Sequence, residues 1–191
     1  MHSFHLMVSW LSVVLIISIL FGGILSIANG EHNVCSLGDK ELRIMKQHQN
    51  DIATAARRHG IDPALLAAII SRESNGGLTL DKNGYGDKGK AFGVAQIDQR
   101  YHNQLGKESR DPWSPAHLDQ ACTILQSNKE QVRKKHPSWT DAQVERGAVA
   151  AYNFGVKNVL TVEGIDRGTT GNNYSEDVLK RRQRFRSEGF I

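Results

Sequence analysis

An unbroken apolar run from Pro63 to Ile70, inside IDPALLAAIISRESNGG (residues 61–77), constrains the fold of this chain more than any other feature. Its start is well marked. Asp62 is a good N-cap, Pro63 suits the first helical position, and Ile61 can staple onto Leu66. The pattern predicts a helix to about Ser74, stopped by Asn75-Gly76-Gly77. So apolar a helix has to be buried, which makes it the centre around which the others pack. One carboxylate stands at its end. Glu73 follows Ile70, Ile69 and Leu66 at three, four and seven residues and so shares their apolar stripe. It also lies in the last turn, where the helix dipole is negative. Desolvation and the dipole both disfavour the charged form, so the sequence predicts a raised pKa. The plain alternative is a solvated helix-end Glu, or one paired with Arg72 or another base.

Helical periodicity dominates the rest. DKELRIMKQHQNDIATAARRHG spaces Leu42, Met45, Ile52 and Ala56 in helical fashion and ends at Gly60, predicting one helix. Ser114 with Pro115 opens another through QSNKEQVRKKHP, and Thr140 with Gln143 forms a capping box for a helix ending at Gly155. A final helix is expected from near Asn173 to SEGF. Asn173 also begins the sequon NYS and reads better as the helix cap. Residues 77–100 carry five glycines and short alternating runs, which predict one or two hairpins. The expected fold class is therefore α+β and mainly helical, with a central buried helix and a small β-hairpin element.

No Lys, Arg, Asp or Glu precedes Glu31, and the apolar run before it ends in small residues, Ala28 and Gly30. The first reading is a cleaved signal peptide over residues 1–30, leaving a single secreted domain over residues 31–191. The second is a retained membrane anchor through residues 6–27, which is long enough to span a bilayer. The two cysteines, Cys35 and Cys122, admit either a long-range bridge or a free core thiol, since Cys122 lies on a stripe with Leu118 and Leu125. The formal charge is +4, with basic clusters in LKRRQRFR (179–186) and NKEQVRKKH (128–136). Solvated helix faces explain each cluster. Attraction to an anionic polymer, nucleic acid or bacterial wall, is the functional alternative.

Two motifs are decoys. GYGDKG spells a dinucleotide fingerprint, but no apolar strand precedes it, no helix follows, and Asp87 would repel a phosphate. DKNGYG begins like a calcium loop, yet Tyr85 and Phe92 stand where oxygen ligands belong. The eight histidines are scattered and there is no C-x-x-C, so neither a metal nor a cofactor is expected. Asp87 and Asp98 are more informative. They flank KGKAFGVAQI, so that a hairpin could bring both to one mouth, where two acids facing a protonated Glu could hold and activate a water. Taken singly, each also reads as ordinary turn chemistry.

The blocks IISRES, GYGDKGKAFGVAQID, GAVAAYNFG and GTTGNNYSEDVLKR occur in the order found in goose-type lysozymes, which the chain resembles from about residue 40 onward. The resemblance implies a lysozyme-like fold, related to the lytic transglycosylases. It implies hydrolysis, with inversion, of the β-1,4 bond between N-acetylmuramic acid and N-acetylglucosamine in bacterial cell-wall peptidoglycan. By position it makes Glu73 the general acid, and Asp87 and Asp98 the acids that position and activate water. Tyr152, Asn153 and Tyr174 match cleft-lining positions, with Gln96 and His102 further candidates for sugar contacts. The family's paired N-terminal cysteines do not carry over, because Cys35 stands there alone. The expected partner is peptidoglycan, with no nucleic acid and a monomeric chain. Two alternatives remain: a lytic transglycosylase, and a cationic wall-binding antibacterial protein that acts without catalysis.

Overall fold

The computed structural model describes residues 37–102 and 110–191, which belong to one compact unit. The expected signal peptide or anchor at residues 1–30, and Cys35, lie outside the described residues. Among those residues no helix is long and apolar enough to cross a membrane. Cys122 is a free, fully buried thiol, and burial pushes its pKa up to about 12.

Six α-helices and one small sheet make up the described chain. In order they are α1 (Asp39–Gln47), α2 (Gln49–Arg58), α3 (Pro63–Ser74), strands β1 (Tyr85–Gly86), β2 (Ala91–Phe92) and β3 (Ile97–Asp98), then α4 (Pro115–Lys135), α5 (Asp141–Phe154) and α6 (Tyr174–Ser187). Three single 3-10 turns fill Asp87–Gly89, Val156–Asn158 and Thr170–Asn172.

The central helix forms where its signals place it. The Asp62 carboxylate accepts from Ala64 N at 3.0 Å, Pro63 takes the first turn, and Asn75 closes the helix in the left-handed region at φ 49°. Every side chain from Pro63 to Ser71 is buried. Leu66, Ala67, Ala68, Ile69 and Ile70 are wholly inaccessible, so the helix contributes side chains to the core on all sides. It packs along α6, while α4 packs along α5 and α2. Met45, Ile52, Leu118, Val149, Val178, Phe185 and Phe190 close the core around it.

The starts of α4 and α5 also follow their caps, whereas Asn173, the expected cap of α6, makes no side-chain cap bond. The Ser114 hydroxyl accepts from His117 N at 3.3 Å, and Thr140 and Gln143 make the reciprocal box. One expected helix is instead two. The segment from Asp39 to Arg58 bends at His48, whose backbone leaves the helical region at φ −100°, ψ 11°. The hydrogen-bond ladder runs through the bend, with His48 N bonded to Ile44 O and Met45 O, and Ile52 N to His48 O. The His48 ring lies flat on Trp113, centroids 3.9 Å apart. That stack sits at the bend, and its partner comes from far along the chain.

The glycine-rich stretch forms a three-stranded antiparallel sheet in the order β1-β2-β3. Its register aligns Gly86 with Ala91 and Ala91 with Asp98. Alternation across the pleat therefore puts these three on one face. The turn between β2 and β3 rests on a buried histidine. His117 Nε2 accepts from Ala95 N at 3.1 Å, and desolvation pulls the imidazole pKa down to about 4. Gly93, at φ 73°, lies against that ring, where a Cβ would collide with the imidazole.

Candidate active site

The end of α3, the Gly86–Ala91–Asp98 face of the sheet and the end of α5 line one open cleft of about 1030 Å³. Glu73, Asp87 and Asp98 all lie in its wall, as do Gln96, His102, Tyr152 and Asn153. The three carboxylates expected to work together thus share one cavity. Tyr174 does not line it. That side chain is buried at 2% exposure, and its hydroxyl donates to Glu73 Oε1 at 2.5 Å.

Glu73 owes its setting to the central helix. The same apolar stripe that buries Ile69 and Ile70 carries Glu73 to the cleft edge, one turn further on. Its pKa is raised from 4.5 to about 7. Desolvation is the largest cause, opposed by the Tyr174 hydroxyl and by the charge of Arg72. Arg72 is itself held, with Nη2 on Thr170 O at 3.1 Å, Nε beside Asp177 at 3.2 Å, and its guanidinium 5.5 Å from the Tyr174 ring centroid. The carboxyl is therefore a proton donor near neutral pH, fixed by one oxygen.

The two aspartates differ. Asp87 is exposed and opens a 3-10 turn with left-handed backbone, φ 42°. Asp98 ends β3, and Arg100 grips both of its oxygens: Nε lies 3.0 Å from Oδ1, and Nη2 lies 2.5 Å from Oδ2. Hydrogen bonding by Arg100 is the main reason its pKa is lowered. Gln96 also has left-handed backbone, φ 47°, and turns its amide back to Gly93 O at 2.8 Å. Tyr152 donates its hydroxyl to Ala95 O at 3.0 Å, tying α5 to the sheet turn. Asn153 closes a reciprocal pair with Thr170, accepting from its amide at 2.9 Å and donating to its hydroxyl at 3.2 Å. His102 lies exposed at the cleft rim.

Sequence reasoning passed over Arg100, and the acid-x-base spacing of Asp98 and Arg100 at a strand end was the signal available. It also passed over Asp166, whose partners lie too far away in sequence to be foreseen. Buried Asp166 accepts from Ser175 N at 2.7 Å, Ser175 Oγ at 2.6 Å and Arg146 Nη2 at 3.2 Å, beside the start of α6 that carries Tyr174.

The family model described as Lysozyme g matches residues 26–189. The chain belongs to the lysozyme g family. Among its relatives, Lysozyme G of Dromaius novaehollandiae is 39% identical over 154 residues, covering 81% of this chain and 73% of the relative. Lysozyme g of Cyprinus carpio is 40% identical over 155 residues, covering 81% and 80%. Lysozyme g of Takifugu rubripes is 44% identical over 145 residues, covering 75% and 76%. Membership in the lysozyme g family makes this chain a lysozyme-type peptidoglycan hydrolase, and its helical fold with a small antiparallel sheet agrees with that.

Proposed function

We propose that the chain is a secreted lysozyme that cleaves the β-1,4 bond between N-acetylmuramic acid and N-acetylglucosamine with inversion. Glu73 is the general acid, and Asp87 and Asp98 position and activate the attacking water. The observation that carries this reading is the Glu73 carboxyl, raised to about 7 by desolvation, in the same cleft as Asp87 and as Asp98, whose pKa Arg100 lowers. Carboxyl groups whose environments separate their pKa values are what an acid–base division of labour needs.

In this mechanism Glu73 gives its proton to the glycosidic oxygen. The bond from that oxygen to C1 breaks, its electron pair stays on the departing oxygen, and a free 4-hydroxyl leaves. A water oxygen bonds to C1 from the opposite face and passes its proton to the aspartate pair. Glu73 is then a carboxylate, stabilised by the Tyr174 hydroxyl until it regains a proton. Gln96, His102, Tyr152 and Asn153 shape the wall along which the saccharide lies. Residues 1–30 act as the export signal.

Mass spectrometry of purified peptidoglycan digested by the protein tests the reading directly. Reducing ends carrying one added water are expected, with no lysis by a folded Glu73→Gln variant. Anhydro ends would show that water is not the nucleophile. Full lysis by Glu73→Gln would remove Glu73 from its role.

A further inference from the structure

Asp98 is the cleft carboxylate whose side chain is fully engaged within this chain, and a single neighbour does it. Oδ1 accepts from Arg100 N at 2.9 Å and from Arg100 Nε at 3.0 Å. Oδ2 accepts from Arg100 Nε at 3.2 Å and Nη2 at 2.5 Å. A carboxylate has about four lone-pair sites, so Arg100 addresses nearly all of them. We propose that Arg100 is the positioning residue of Asp98: its guanidinium fixes the carboxylate in the cleft and must yield part of that hold when the attacking water takes its place.

The inference rests on the reading of Asp98 given above. Three features separate this pair from an ordinary surface ion pair, which contributes little. First, Arg100 itself lines the cleft together with Glu73, Asp87 and Asp98. Second, its backbone N–H joins its side chain on the same carboxylate, so the turn after β3 is built around the contact. Third, Asp87 lines the same cleft as Arg100, and its charge adds to that of Asp98 in favouring the charged guanidinium. The Arg100 guanidinium also stands 5.4 Å from the centroid of the exposed Tyr101 ring, a second support for its position. A planar fork suits this task. A lysine would supply the charge without the paired geometry.

Among the described residues, these groups lie in or beside the cleft wall with Asp98. Its own segment supplies Arg100, Tyr101 and His102. The turn between β1 and β2 supplies Asp87, with Lys88 and Lys90 beside it. The helical walls supply Glu73 and Lys157. Arg100 and His102 favour the ionised form of Asp98, with the hydrogen bond from Arg100 the larger influence. Removing Arg100 therefore lets Asp98 take a proton at higher pH, which moves the acid limb of the rate profile upward.

The test measures kcat, KM and the pH profile of kcat/KM on soluble peptidoglycan fragments for the wild type, Arg100→Ala and Arg100→Lys. In Arg100→Ala, kcat should fall about tenfold or more, as lost orientation of a reacting group does. KM should change far less, and the acid limb should shift to higher pH. Arg100→Lys should restore the limb in part while kcat stays low. Unchanged kcat and an unmoved acid limb in Arg100→Ala would overturn the inference, and so would a lower kcat with the limb in place. Asp98→Asn, assayed alongside, separates the two layers. Full activity there would sink the role of Asp98 and this proposal with it. An inactive Asp98→Asn beside an unaffected Arg100→Ala would sink this proposal alone.

Discussion

How acidic Glu73 is depends on a balance of three neighbours rather than on the carboxyl alone. Burial raises its pKa to about 7, while the Tyr174 hydroxyl and Arg72 pull the other way. Removing the hydroxyl while keeping the ring should therefore raise the pKa further. In Tyr174→Phe the alkaline limb of the activity profile should move up by about one to two pH units, the equivalent of one hydrogen bond to a charged acceptor. A pH–rate profile checks this, and a limb that stays or moves down would contradict the assigned balance. Other residues in the cleft are fixed by steric fit. Gly86 has ordinary extended backbone, so no turn demands glycine there; a Cβ at this position would strike the Gln96 amide. Glu73 could be read from the sequence because its environment is made by residues three, four and seven positions earlier. Tyr174 could be placed near the site only by family resemblance. Its contact with Glu73 spans 101 residues, and no local spacing encodes that.

Helix α6 shows what holds an element in place when its expected cap is idle. Asn173 stands at the N-cap position but makes no side-chain cap bond. Asp166 takes over, accepting from Ser175 N at 2.7 Å and Glu176 N at 3.3 Å, with Arg146 held on the same carboxylate. Burial alone would raise the Asp166 pKa, but the hydrogen bonds from Ser175, Arg146 and Glu176 outweigh it and hold the pKa below the ordinary 3.8. Asp166→Asn should cost about 2–4 kcal/mol, because a buried, multiply bonded charge is replaced by a group that cannot accept from all of those donors. The folded pKa is depressed, so this stability is present above the ordinary value and is lost as pH falls through the lower folded one. Denaturant melts at neutral and strongly acidic pH should show the wild-type advantage shrinking in acid. Tyr174 adjoins this cap, so the variant should also disturb Glu73. The helices with local caps, α3, α4 and α5, could be located from sequence because Asp62, Ser114 and Thr140 bond to residues two or three positions on. The bend at His48 could not, since no Gly or Pro marks it and its ring partner, Trp113, comes from another part of the chain.

Across the fold as a whole, the basic stretch of α6 is committed to acidic partners. Every base in LKRRQRFR has an acidic partner: Lys180 with Glu176, Arg181 with Asp177, Arg182 and Arg186 with Asp62, and Arg184 with Glu188. The late basic cluster is thus fold structure, and it gives little support to a protein that acts through cationic attraction alone. Between mildly acidic and neutral pH, two buried groups with large shifts act on stability in opposite directions. Glu73 is raised from 4.5 to about 7, so through that window the folded state holds a proton that the unfolded chain has lost, and stability falls as pH rises. His117 is lowered from 6.5 to about 4, so there the unfolded chain holds the extra proton, and stability rises with pH. The two windows overlap almost completely, and the slopes are equal and opposite. Between pH 4.5 and 6.5 these groups should nearly cancel in the wild type. In Glu73→Gln only the histidine remains, so the variant should match the wild type near pH 4.5 and gain on the order of 3 kcal/mol over it by pH 7. Urea melts of both proteins at the two ends of the range decide the matter. A Glu73→Gln protein as flat in pH as the wild type would mean that the histidine does not offset the acid. A variant no more stable at neutral pH would mean that the fold bears no cost for keeping Glu73 in its desolvated place.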